Sequence, residues 1–372
     1  MEEKSIVTLA FKVVEPMMFR GSGEFIPEAR GPQSAARSQV APSPSTFSGT
    51  LATALIDAGI AASPKPDEWH RETGSVLRSA GIRSVRGPYI IAKTGGREDV
   101  LVQHFDSLVP INELYEKSEL LKDGWNGENG GLTLVTPKFT SKVGIGLSHS
   151  EKAAKEGLIY TATMVDYSVL RKTIQEGGGV LRVEEVHPEE VLIAADLELE
   201  NKEATENIGK LSNRLTKMGG EGRAVVVKIR RERGELTRKV TEEVGRTPDD
   251  WRGEAAVYIA TQLITESPPA DPEKWRHVEG GYVYPQPPQV SPETSLKWIK
   301  VKAEPLGAGY RARKATRKPA YSTILPGSTL LLTNATKNQL RNTFKEPQKL
   351  IPKAIATEIG YATIIPIPIL KR

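Results

Sequence analysis

The fold is read most directly from Val191-Leu-Ile-Ala-Ala-Asp-Leu-Glu-Leu199, followed after a polar stretch by Met218-Gly-Gly-Glu-Gly-Arg223 and Ala224-Val-Val-Val-Lys-Ile229. The first nine residues are rich in strand formers and hold no breaker, which predicts a strand. Residues 204–215 place Ile208, Leu211 and Leu215 at three- and four-residue spacing, the period of a helix with one apolar face. The glycines interrupt that period, and the β-branched run at 224–229 predicts a second strand. Strand, helix, turn and strand in succession make an α+β unit.

The chain opens in the same way. Residues 5–14 alternate apolar and polar positions and stop at Glu15-Pro16, a first strand. Residues 19–44 hold many glycines and prolines without periodicity. That long loop carries Arg20, Arg30 and Arg37, with Phe19 and Phe25 between them, and is expected to be mobile until a partner orders it. Ser43 is a good N-cap and Pro44 suits the first position of a helix that runs through Ile56, with Phe47, Leu51, Ala54 and Leu55 facing one way. Further strands are predicted at 87–93, 100–105, 142–147, 158–170, 255–264, 295–303, 328–332 and 362–370.

At 372 residues the chain exceeds what one hydrophobic core usually serves. Two ferredoxin-like (RRM-like) domains side by side are therefore expected, with long loop insertions. They would occupy residues 1–190, including the 19–44 loop, and 191–372, including a Pro-rich insertion at 266–295.

Composition narrows the function. Apolar residues at 38% and charged residues at 26% suit a soluble globular protein. No apolar run is long enough to cross a membrane, and the first residues lack the pattern of a secretory signal, so a cytoplasmic location and no membrane partner are expected. The absence of cysteine removes disulfides, thiol nucleophiles and thiolate metal sites.

The formal charge of +5 matters through its clustering. Between Lys297 and Lys318 stand Lys297, Lys300, Lys302, Arg311, Arg313, Lys314, Arg317 and Lys318 against one acid, Glu304. Tyr310 and Tyr321 bracket the densest part. Such a run can neutralise phosphates while its aromatic rings stack on bases, although a solvated loop has the same composition. The run from Lys228 to Lys239 is interspersed with Glu232 and Glu235 and leads on to Glu242 and Glu243, so a surface ion-pair face is expected there. Gly219, Gly220 and Gly222 permit a tight turn against an anion, with Arg214 and Lys217 before it and Arg223 after it; a glycine-capped helix end is the plainer reading. Lys142 stands near the mid-chain Val143-Gly-Ile-Gly146.

Catalytic signals are thin. Gly307-Ala-Gly309-Tyr-Arg-Ala312 matches a dinucleotide fingerprint in letters only, because Pro319 forbids the helix that must follow. No phosphate-binding loop of the nucleotide hydrolases is present. The five histidines show no ligand spacing, and His104, in an apolar strand, reads as structural. No catalytic residue, metal ligand or cofactor is expected.

Several segments together resemble the RAMP-superfamily proteins of the type III-B CRISPR (Cmr) effector module, its third-subunit family above all. They are Glu15-Pro-Met-Met-Phe-Arg20, Pro42-Ser-Pro-Ser-Thr-Phe-Ser-Gly-Thr-Leu51, Val143-Gly-Ile-Gly146, Met218-Gly-Gly-Glu-Gly-Arg-Ala224 and Lys318-Pro-Ala-Tyr-Ser-Thr-Ile-Leu-Pro-Gly327. The terminal glycine-rich loop of that superfamily is reduced here to Gly360-Tyr-Ala-Thr363. The resemblance implies two ferredoxin-like domains and a non-catalytic subunit that grips the repeat-derived 5′ handle of the guide RNA (crRNA). It also implies contacts with the polymerase-like large subunit and the backbone RAMP subunit. A metal-independent endoribonuclease that trims precursor guide RNA is the alternative, with His149 or Tyr160 as its base.

Overall fold

The computed structural model describes residues 5–20, 36–63, 69–122, 131–147, 154–175, 181–230, 234–264, 276–278, 281–283, 295–307, 310–311, 316–317, 320–351 and 354–370. The architecture is α+β, rich in antiparallel strands.

In the first part of the chain, β1 (Ser5–Val13) and the short β2 (Ala36–Arg37) precede α1 (Pro44–Asp57) and α2 (Trp69–Ser79), which lead into β3 (Ile82–Thr94). Then come β4 (Arg97–His104), β5 (Ser107–Pro110), α3 (Ile111–Glu116), the long β6 (Leu134–Leu147) and β7 (Ala154–Gln175), and β8 (Leu181–Val186). The part closes with β9 (Glu190–Leu199), α4 (Lys202–Gly209), β10 (Leu215–Met218) and β11 (Arg223–Arg230). These strands form one sheet in the order β10-β11-β1-β9-β3-β4-β5-β6-β7-β2, with β8 on β7. The sheet does not stop at residue 190: β9 lies between β1 and β3, pairing antiparallel with both.

The second part begins with α5 (Glu235–Gly245), β12 (Arg252–Ile259) and β13 (Leu263–Ile264), followed by the hairpin β14 (Arg276–Val278) and β15 (Gly281–Val283). Next are β16 (Ser295–Lys300), β17 (Ala303–Gly307), β18 (Tyr310–Arg311), β19 (Thr316–Arg317), β20 (Ala320–Ile324) and β21 (Thr329–Thr336). The helices α6 (Lys337–Lys345) and α7 (Pro347–Leu350) and the last strand, β22 (Ile364–Pro368), complete it. Its main sheet runs β16-β21-β12-β22, all antiparallel. Apart from the hairpin strands, the expected Pro-rich insertion lies outside the described residues.

Helix α1 begins where the sequence predicts. The Ser43 hydroxyl accepts from the Thr46 amide at 3.3 Å, and Phe47, Leu51, Ala54 and Leu55 are buried. They pack on the face of the first sheet that carries Leu9, Phe11, Ile193 and Leu197. The opposite face, with Ala10, Ile91, Leu192 and Ala194, packs on Leu236, Val240 and Val244 of α5 and on β12 and β22. The central strands are thus covered on both sides, and Thr8 and Asp196 are fully buried. Thr8 donates to Asp196 Oδ1 at 2.8 Å, Tyr89 donates to the same oxygen at 2.6 Å, and Asp196 Oδ2 accepts from the Thr237 amide at 2.6 Å. Gly234 caps α5 without a side-chain bond, so Asp196 supplies the acceptor for its first turn from the sheet below. Burial raises the pKa of that carboxyl.

Two expectations need correction. The helix predicted over 204–215 ends at Gly209. Asn201 caps its start, and Asn213 turns the chain with φ of 62°, sending its amide to the Val227 carbonyl at 2.8 Å. Ile208 and Leu211 are buried as expected, but Leu215 begins a strand and is 73% exposed. The strand predicted over 255–264 breaks at Ala260, whose amide crosses to the Thr363 carbonyl.

Candidate nucleic-acid interface

The Gly219–Arg223 turn links β10 to β11 in a hairpin in which Met218 pairs with Arg223 and Lys217 with Ala224. It is therefore not a helix cap, and Arg214 and Lys217 precede it at the entry to and within a strand rather than on a helix. Gly219 has φ of 74°, and a Cβ there would collide with the Met18 carbonyl oxygen. The Gly220 amide donates to that oxygen at 2.9 Å. Glycine is required because two backbones meet. Gly222 also has a positive φ, 57°, and Gly220, Arg214 and Lys217 are exposed.

Arg223 is held from below. Its Nη1 donates to Glu15 Oε2 at 2.9 Å, Nη2 lies 3.7 Å from Met164 Sδ, and the buried Nε has no hydrogen-bond partner among the described residues. Glu15 Oε1 accepts from the Ala224 amide at 3.0 Å. That amide, then Arg223, then the charge of Lys142, hold the Glu15 carboxyl below its ordinary pKa.

Strand β7 gathers the remaining members. Lys142 on β6, exposed, pairs with Ala162; Arg37 on β2 pairs with Thr163 from the other side; Met17 bridges to Val165. Met18, Ala162 and Met164 form a small apolar cluster under the turn. Arg20 is exposed, and its backbone bridges to Ser38. Phe19, read from sequence as a loop aromatic, is instead a core residue, 2% exposed. Residues from five segments, around positions 15–20, 36–39, 142, 162–165 and 217–224, thus meet at one junction. The sequence points to Arg20, Arg37, Lys142, Arg214, Lys217, Arg223 and the glycines; it gives no role to Glu15, whose partner is 208 positions away, or to Met164. In the sequence the Glu15-Pro16 pair marks the end of a strand and opens one of the family-like segments, but nothing there ties Glu15 to Arg223.

The second basic group does not join this junction's sheet. Tyr310 and Arg311 on β18 pair with Arg317 and Thr316 on β19, forming a ribbon of their own. Arg30, Arg313, Lys314 and Lys318 lie outside the described residues, as do His149 and most of the 19–44 loop whose ordering was expected to need a partner. The expected ion-pair face is present: Arg230 holds Glu98 at 2.8 Å, and Arg238 contacts Glu235 and Glu242. His104 is 7% exposed, 3.4 Å from the Tyr258 hydroxyl. Burial, then Lys300 and Lys302, push its pKa down to about 3, so the imidazole is neutral at ordinary pH. Among the described residues no three acidic or histidine side chains are gathered for a metal, and no helix is long and apolar enough to cross a membrane.

The family model described as CRISPR-associated protein (Cas_Cmr3) matches residues 112–368. A curated relative from Saccharolobus solfataricus, the CRISPR system CMR subunit Cmr3, is 27% identical over 157 residues, 41% of this chain and 48% of that protein, so the match spans about half of the relative's length. Among solved structures, a chain of the type III-B Cmr-beta cryo-EM structure bound to cognate target RNA and AMPPnP superposes with a TM-score of 0.52 at 16% identity, covering 96% of this chain and 95% of that one. A second such structure, bound to cognate target RNA, gives 0.52 at 17% identity, covering 96% of each chain. At these identities the likeness is one of fold.

Proposed function

The chain belongs to the Cas_Cmr3 family of CRISPR-associated proteins, and on that premise we propose that it is the non-catalytic guide-RNA-binding subunit of a type III-B CRISPR effector complex. In this reading it works in the cytoplasm, grips the repeat-derived 5′ handle, and joins the polymerase-like large subunit to the first backbone RAMP subunit. The two sheets would belong to two ferredoxin-like units. The orders β11-β1-β9-β3 and β22-β12-β21-β16 support this, since each puts its fourth strand beside its first and its third beside its second.

The observation that carries the proposal is the junction around β7. Its glycine turn lets an RNA backbone approach closely, with the exposed Lys142 and Lys217 on two neighbouring strands and the backbone of Arg37 on a third. Arg223 is pre-set by Glu15, with 24% of its side chain still exposed. Rigid backbone and cations converging on one place suit phosphates, and the Tyr310–Arg317 ribbon would add a second contact further along the strand.

Fluorescence anisotropy of the purified chain with labelled repeat-derived RNA in EDTA tests this. Binding should be salt-dependent and leave the RNA intact. Each phosphate contact adds about −0.7 to the slope of log K against log salt, so Lys142→Ala with Lys217→Ala should flatten it by about 1.4. No affinity at low salt, or cleavage in EDTA, would overturn the reading.

A further inference from the structure

A groove of about 770 Å³ lies where α2 and β3 meet α6, α7 and the Thr357–Ile359 turn. Six cations line it, Arg71, Arg78, Arg83, Arg86, Lys345 and Lys349, against two carboxylates, Glu346 and Glu358. None belongs to the junction around β7 or to either basic run visible in the sequence. They come together only because the two halves of the chain fold against each other.

Arg86 gives the groove its chemistry. It is 7% exposed, its Nη2 donates to Glu198 Oε2 at 2.8 Å, and its guanidinium lies 5.5 Å from the centroid of the Phe344 ring. Its Nη1 is buried with no hydrogen-bond partner among the described residues. A buried guanidinium donor without an acceptor is costly, so an anion entering here would gain more than one meeting a solvated arginine. Lys349 is answered by Glu346 at 2.9 Å, and Arg83 by Glu200, which is not part of the lining, at 3.6 Å. Arg78 and Lys345 stand exposed on opposite walls, one from each half of the chain.

We infer that this groove is a phosphate-binding site that takes a phosphate monoester or diester between Arg78, Arg86 and Lys345. Glu198 already supplies Arg86 with a planar carboxylate on one side. The remaining donors line one groove from three separate elements, α2, β3 and α6, rather than as a single planar fork, which suits a tetrahedral oxyanion better than a second carboxylate. Phe344 and Tyr361 are 5% and 2% exposed, so no ring face is offered to a base, and the ligand is read through its phosphate. The site shares no residue with the junction proposed to bind guide RNA and stands apart from that reading.

The test uses the full chain and the double variant Arg78→Ala/Lys345→Ala, whose exposed side chains can be removed without opening the core. The probes are 5′-AMP, followed by calorimetry, a short fluorescein-labelled single-stranded RNA, followed by anisotropy, and a poly-glutamate peptide. The RNA arm is run in the Lys142→Ala/Lys217→Ala background, so that failure of the guide-RNA reading is seen separately. At least one phosphate probe should bind about tenfold more weakly to the double variant, the scale of one lost charge-assisted hydrogen bond, at unchanged melting temperature. Arg86→Lys, which keeps the charge and loses the fork, should weaken the same probe. Loss for RNA alone identifies a backbone phosphate, loss for 5′-AMP alone a free nucleotide, and loss for both the phosphate itself. Wild-type affinity of the double variant for both phosphate probes, or no binding of either by the unaltered chain, would refute the site. Loss confined to poly-glutamate would also refute it and make the groove a seat for an acidic protein segment.

Discussion

In the first four-stranded array, β11-β1-β9-β3, the long insertion falls between the second and third strands in chain order; in the second, β22-β12-β21-β16, insertions fall both between the first and second strands and between the second and third. The first insertion extends the sheet outward through β4–β7 and returns β7 to meet the β10–β11 turn. The insertions of the second array form small sheets, and the one between its second and third strands carries Arg311 and Arg317 on the β18–β19 ribbon. One cationic surface is therefore assembled from distant segments and held by packing, while the other is contiguous in sequence and rests on two-residue strands. Assembly by packing pre-organises a site but makes it vulnerable to single core changes; contiguity does the reverse.

Gly219→Val should break the assembled surface most severely. It forces a β-branched residue to φ of 74° and drives its Cβ into the Met18 carbonyl. A loss of about 3 kcal/mol is expected in urea unfolding, with RNA affinity falling in parallel. Gly220→Ala is the control. Gly220 lies outside the left-handed region, and the nearest atom to a Cβ there is Met18 Sδ at 3.5 Å, so a change within about 1 kcal/mol should follow. Equal effects from the two would mean that backbone packing does not hold the junction.

The same contrast explains what the sequence could disclose. Helix α1 was legible through Ser43, Pro44 and the spacing of Phe47, Leu51 and Leu55, all local signals. Strand β9 and the 228–239 ion-pair face were legible for the same reason. The Gly219 turn was visible as glycines, but its role was not, because it depends on Met18 arriving from two hundred positions away. Leu215 continued a helical period that Gly209 and Asn213 had already ended, and apolar spacing alone cannot register that stop. The Arg86 groove had no sequence signal at all, since its cations are dispersed singly along α2, β3, α6 and α7.

Where the two halves meet, His104 packs against Tyr258, with Lys300 and Lys302 nearby. Its pKa falls from 6.5 when unfolded to about 3 when folded, so between those values the unfolded chain binds the extra proton. The stability due to neutral His104 is complete above about pH 6.5 and is lost progressively as pH falls toward 3. Near pH 5 the loss should be about 2 kcal/mol relative to neutral pH. Comparing wild type with His104→Gln across that range isolates it. Parallel pH profiles for the two proteins would show that the seam does not exclude a charged imidazole.

The contiguous surface should behave oppositely to Gly219. If these side chains are solvated, as a contiguous basic run suggests, replacing Arg311, Arg313 and Arg317 together by alanine should change stability by no more than about 0.5 kcal/mol. The same triple variant should flatten the salt slope of RNA binding by about 2 if all three meet phosphate. An unchanged slope would assign the ribbon to a protein partner and leave the junction as the RNA surface.

The smallest effect, and the one that divides the two surfaces most finely, concerns Glu15. Its carboxylate pre-sets Arg223 but also competes with any phosphate for the same guanidinium, at 2.9 Å. Because its pKa is depressed in the fold, the pair contributes stability above the ordinary value near 4.5, and that contribution disappears as pH falls through the folded value. At neutral pH, Glu15→Gln keeps an oxygen that can accept from the Ala224 amide and removes only the charge. If Arg223 touches RNA, the variant should bind guide RNA up to about threefold more tightly, the scale of one partly exposed ion pair, while Arg223→Ala binds more weakly. If Arg223 serves only to fasten the turn, both variants should lose affinity together, because each loosens the same scaffold. The ribbon has no described internal acid to release, so Glu15→Gln should leave the effect of the Arg311/Arg313/Arg317 triple variant unchanged. Additivity of the two measured in one anisotropy series would show that the assembled and contiguous surfaces act independently; departure from it would mean that they hold the same stretch of RNA in a coupled way.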